Sequence, residues 1–158
     1  MGIDPPPRLE GKCITVGKFT QRPAVELLSS AQGSLREAHQ SSLPHDRYAA
    51  AHLAALRTAA AVLADRAQVA AGPRRHRIRS VWEVLPQVAP EFAEWAEFFA
   101  AGARKRASAE AGIPCVTARE ADDLMRDAER FLTYVAGALN LLEQSCIPVA
   151  NARLQRVG

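Results

Sequence analysis

Arg47 and His52 stand five positions apart in the run DRYAAAHLAALRTAAAVLADRA, which spans Asp46 to Ala67. An arginine fork matches phosphate oxygens, and a histidine titrates near neutral pH. Together they could cut RNA without a metal. The 2′-hydroxyl would be the nucleophile, His52 the acid and base, and Arg47 the stabiliser of phosphate charge. On a helix, five positions turn through about 500°, so the two side chains point about 140° apart and lie about 7.5 Å apart along the axis. They share no face within one chain. Two copies across a dimer axis would be needed to bring them into a single cleft. The competing reading has Arg47 paired with a carboxylate near the helix start, such as a neighbour's Asp46, and His52 as a hydrogen-bonded core residue.

A second cluster is RRHRIR, in which Arg74, Arg75, Arg77 and Arg79 surround His76. Four guanidinium groups in six residues repel one another unless solvated or met by anions. RNA, a nucleotide or an acidic protein surface would satisfy them. So would the chain's own acidic segment from Thr117 to Gln144, which holds six acids against three bases. A third cluster is aromatic: Trp82, Phe92, Trp95, Phe98 and Phe99. Rings at helical spacing form a core. Phe98 and Phe99 are adjacent, however, and point about 100° apart on a helix. Both cannot face one core, so Trp95, Phe98 and Phe99 are candidates for a dimer or partner surface. The acidic stripe Glu120, Asp123 and Asp127 is interleaved with Arg119, Arg126 and Arg130, and its i,i+4 pairs describe a solvated charged face better than a cation site. Glycine-rich phosphate loops and HExxH motifs are absent, and nothing in the pattern calls for a metal or cofactor.

These clusters must be positioned by helices. Alanine favours the helix and lets neighbouring helices approach. Pro23 opens the first predicted helix, which ends near Ser41. The second starts at Ser42–Pro44 and runs to about Ala71, before Gly72 and Pro73. Its residues Leu53, Leu56, Ala60, Leu63 and Ala67 form one expected buried seam, and Tyr48, His52, Ala55, Ala59 and Val62 an adjacent one. A third element starts at Ser80. Pro86 and Pro90 bracket a short break, and a longer helix then carries Phe92, Trp95 and Phe99 to Gly112–Pro114. The last helix runs from Thr117 to about Gln144. Ser80 with Glu83, and Thr117 with Glu120, have capping-box spacing. Sustained period-two alternation is missing. The prediction is all-α: an antiparallel up-and-down bundle of four main helices plus one short helix. Residues 1–20, with three prolines in a row, are expected to be a poorly ordered arm. Residues 21–146 would form the domain, and 147–158 a fraying tail.

The 158 residues suit one ordinary domain, and a net charge of +3 alone does not prove nucleic-acid binding. The apolar stretches are too short to span a bilayer, and the N-terminus lacks the pattern of a secretory signal. Cys13, Cys115 and Cys146 are far apart, which suggests reduced thiols in the cytoplasm and no disulfide framework.

The run DRYAAAHLAALRTAAAVLADRA is followed by RSVWEVLPQVAPEFAEWAEFFAAGARKRASAEAG and VTAREADDLMRDAERFL. In that order the three blocks resemble an actinobacterial subfamily of HEPN domains (higher eukaryotes and prokaryotes nucleotide-binding), from roughly Pro23 to Leu142. The resemblance implies an up-and-down helical bundle, often dimeric. Its relatives include RNA-cutting toxins, nucleotidyltransferase partners and non-catalytic binding modules. Catalytic members carry Arg, four to six residues, then His, and Arg47 and His52 match that spacing. The family motif has a polar residue straight after Arg and sits on a later helix. Here Tyr48 follows, and the pair opens the second helix, as in the packing helix of non-catalytic members. The resemblance therefore implies a binding module for RNA or a nucleotide, acting as a homodimer or with a protein partner. A metal-independent ribonuclease and a purely structural interaction domain are the alternatives.

Overall fold

Helix α1 (Arg22–Gln40) buries Ala24, Leu28, Ala31, Leu35 and Ala38, which recur at four and three residues and so line one face. A computed structural model describes residues 22–67 and 80–139 of the chain. The expected N-terminal arm, the arginine-rich segment and the C-terminal tail lie outside them.

Helix α2 (Pro44–Ala67) is the centre of the fold, packing on α1 and on the later helices described below. Arg57 fixes its register on α1 by donating to the Ser30 carbonyl at 3.1 Å and the Ser34 hydroxyl at 2.5 Å. The seam Tyr48, His52, Ala55, Ala59 and Val62 is buried, together with Ala51, Ala54, Thr58 and Ala61. The leucine seam departs from expectation. Leu53, Leu56, Ala60 and Leu63 are only half-buried. A rod touched on most of its circumference needs small side chains at its closest contacts, and the branched leucines are left to the margin, where there is room.

Helix α3 (Val81–Val88) is capped by Ser80, whose hydroxyl accepts from the Glu83 backbone N–H at 3.2 Å. Pro86 lies within this helix; the break comes after Val88, where a 3-10 turn (Pro90–Phe92) leads into α4 (Ala93–Ala101). The single long helix expected here is divided at Gly102, and α5 (Ala103–Glu110) follows. Gly102 has ordinary helical angles, so its backbone does not demand glycine. Its neighbours do. A Cβ at this position would sit 2.9 Å from the Tyr48 hydroxyl and 3.4 Å from His52 Cδ2. The last helix, α6 (Ala118–Ala138), starts with a complete capping box between Thr117 and Glu120. The spacing predicts a buried stripe of Ala121, Leu124, Ala128, Phe131 or Leu132, Val135, Ala138 and Leu142; the helix buries the first of these through Val135, Ala138 is exposed, and Leu142 lies outside the described residues.

Arg47 meets Asp122 near the starts of α2 and α6, while Arg66 and Tyr134, near their ends, both lie against Phe92. Those two helices therefore run the same way. α1 and the α4–α5 pair run against them, and α3 is the short extra element. Every described element is helical. The core between α3, α4 and α6 is aromatic: Trp82 stacks on Phe99 at 5.3 Å, and Trp95 lies between Phe99 and Phe131 at 6.0 and 5.2 Å.

Gly102→Ala should lower stability by about 1–3 kcal/mol through overpacking against α2. Tyr48→Phe in the same chain removes the clashing hydroxyl and should recover most of the loss, measured as the urea midpoint of the single and double variants. An unchanged midpoint in Gly102→Ala alone would show that α2 and α5 do not approach this closely.

Candidate functional site

His52 is 1% exposed. Its Nε2 donates to the Phe99 carbonyl at 2.8 Å. That carbonyl is one of the last four of α4, the group that a helix end leaves short of partners, and it also accepts from the Gly102 N–H at 3.1 Å. Trp82 and Phe99 meet the imidazole edge-on, each with ring centres 5.9 Å away. Nδ1 is buried and has no hydrogen-bond partner among the described residues. Burial is the largest influence on this ring and pushes its pKa down, and nearby Arg106 adds to the effect. The Phe99 carbonyl and Glu110 oppose it. A neutral ring with its proton on Nε2 satisfies the one strong contact present.

Arg47 does not meet His52. Its Nη1 donates to Asp122 at 2.5 Å and its Nη2 to the Ser41 carbonyl at 2.9 Å, while Nε is buried and has no partner among the described residues. The guanidinium therefore ties the α1–α2 turn to α6. In a single chain the two sequence-predicted residues are separate, and His52 does not reach the surface. Any joint chemistry would need the core opened first.

Arg74, Arg75, Arg77 and Arg79 lie outside the described residues. Of the aromatic candidates, Phe99 is fully buried, which corrects its place in the expected partner surface. Adjacent rings diverge as the helix geometry requires, and Phe98 is 47% exposed. Trp95 is half-buried beside it.

The acidic stripe on α6 is paired. Of the two i,i+4 pairs that the spacing predicts, Arg119–Asp123 is present at 3.9 Å. In the other, Asp122–Arg126, Asp122 goes to Arg47 instead and Arg126 pairs with Asp123. Asp127 pairs with Arg130 at 3.2 Å, and Glu129 meets His39 at 2.5 Å. Glu120 accepts from Lys105 at 2.5 Å and from the Thr117 N–H and hydroxyl at 2.8 Å each. The Lys105 bond, with the Thr117 bonds behind it, brings the Glu120 pKa down to about 2. Among the described residues, no group of three His, Cys, Asp or Glu side chains is placed to hold a metal. Sequence reasoning missed Asp122 as the partner of Arg47 and Gly102 as the spacer. Neither leaves a local signal, since the partners are 75 and more than 50 positions away.

A family model described as SAV_6107-like HEPN matches residues 38–136, well over half of the chain. No curated protein and no solved structure gives a match.

His52→Ala should cost about 2–4 kcal/mol, because it empties a ring-sized space and leaves a carbonyl short of a donor. The pH dependence has a definite sign. The folded state holds the His52 pKa below its unfolded value of 6.5, so the unfolded chain binds the extra proton first. The contribution is fully present above that value and is lost as pH falls below it. The wild type should therefore lose more melting temperature on acidification than His52→Gln. Parallel slopes for the two would contradict a buried neutral histidine.

Proposed function

The chain belongs to the SAV_6107-like HEPN family, and we propose that it serves as a non-catalytic binding module of that family. One observation carries this reading: the histidine at ribonuclease spacing is sealed between Trp82 and Phe99 with its Nε2 proton engaged, while its arginine is held by Asp122 and Ser41. General acid–base catalysis needs a group within hydrogen-bond reach of substrate. A residue inside the core has no such reach.

The ligand we propose is RNA or a nucleotide, met by Arg74, Arg75, Arg77 and Arg79. Their support is chemical. Four forks in six residues offer more phosphate-matching donors than any other segment of the chain. The module acts in the cytoplasm, as a homodimer or beside a protein partner. The widely spaced cysteines fit a reducing compartment. No helix among the described residues is long and apolar enough to cross a membrane.

The test is an electrophoretic assay with labelled single-stranded RNA, scored for both binding and cleavage. The wild type should bind without cutting. Affinity should fall with salt at a logarithmic slope of about −3 if all four arginines meet phosphates. Replacing the four by glutamine should remove most of the binding and flatten the slope. Cleavage that disappears in a folded His52→Gln variant would overturn the non-catalytic reading. Undiminished affinity in the glutamine variant would rule out the arginine segment.

A further inference from the structure

Charge along this chain is segregated. The stretch from Val81 to Ala101 contains Glu83, Glu91, Glu94 and Glu97 and no Lys, Arg or His, although it holds five of the chain's aromatic residues. Glu91 is taken up by Arg66. Glu94 and Glu97 lie exposed on α4, with no salt bridge to any described residue, and Phe98 projects beside them.

Two cavities flank the Phe98 ring. One, of about 280 Å³, is walled by Glu94, Trp95, Phe98 and Asp127. The other, of about 240 Å³, shares Phe98 and Asp127 and adds Tyr48, Glu120 and Asp123 from α2 and α6, with Lys105 as its one cation. Both therefore join an aromatic wall to carboxylates. Glu120 is already held by Lys105 and Thr117, but Asp123 and Asp127 are paired with the exposed Arg126 and Arg130, pairs worth little in water and easily exchanged.

We propose that this groove docks an arginine-bearing segment of a protein partner, with two guanidinium side chains straddling Phe98. Arginine fits better than lysine because its planar head both stacks on rings and forks onto carboxylates. Alternate residues of an extended segment lie on one side roughly 6.8 Å apart, a spacing suited to one ring standing between them. Two adjoining cavities suit one segment better than one small cation. Charge complementarity selects the occupant: an unbalanced acidic helix face repels phosphate and attracts a basic peptide. This inference rests on the binding-module reading but uses residues other than the arginine segment.

The experiment uses the full chain and a fluorescein-labelled nonapeptide containing Arg-Ile-Arg, followed by fluorescence anisotropy. A matched peptide carries citrulline, the neutral isostere, at both arginines. The arginine peptide should bind, and citrulline should weaken it about tenfold. Phe98→Ala should weaken it about tenfold as well. Glu94→Gln with Glu97→Gln should weaken it several-fold and reduce its salt dependence. All three positions are exposed, so melting temperature should hardly move. RNA affinity should stay at the wild-type value in these variants. No binding by the wild type, or equal binding by Phe98→Ala, would overturn the proposal. Binding that appears only after the four arginines are replaced would assign the groove to the chain's own basic segment instead. Self-association abolished by Phe98→Ala would assign it to a second copy. Loss of RNA binding with peptide binding intact would sink the RNA reading alone.

Discussion

The hydrogen bond from His52 to the Phe99 carbonyl ties the centre of this fold together. It joins the middle of α2 to the end of α4 at the place where the third main helix is interrupted. A carbonyl near a helix end needs a donor, and a buried imidazole supplies one. The contact forms because Gly102 has no side chain, which lets Tyr48 and His52 come within reach of the break. The alanines of α2 extend the same logic along the rod. Their small size brings α1 and α6 close enough to bury it on most of its circumference. Remove that closeness and the box of Trp82, Phe99 and His52 opens.

Function follows from where this packing leaves charge and shape available. The interior takes His52, the residue that could have moved a proton. The turn before α2 is held by Arg47, so that guanidinium serves architecture. Charge is segregated by sign along the sequence, with an arginine-rich segment between α2 and α3 and a run of four glutamates and no bases from Val81 to Ala101.

Much of the fold was legible from local pattern. The α6 stripe as far as Val135 and its capping box follow from spacing alone, as does the divergence of Phe98 and Phe99. Two features were not legible because they depend on residues distant in the chain. Leucine spacing marked one face of α2 as buried, yet helix proximity gave the buried side to alanine. The expected helix to Gly112–Pro114 ran through Gly102 unmarked, because only the approach of Tyr48 makes glycine necessary there. The site shows the same division. Arg47 and His52 were visible as a pair, but their separate fates were set by Asp122 and by a backbone carbonyl, and backbone carbonyls carry no sequence signature.

The central claim is that His52 is a neutral core residue locked as its Nε2–H tautomer. Long-range nitrogen–proton NMR correlation spectra of the imidazole, recorded as pH is lowered through 6.5, report tautomer and titration together. The account predicts a protonated Nε2, an unprotonated Nδ1, and a titration displaced below that value. A ring that exchanges between tautomers and titrates at 6.5 or above would place His52 in water and contradict it.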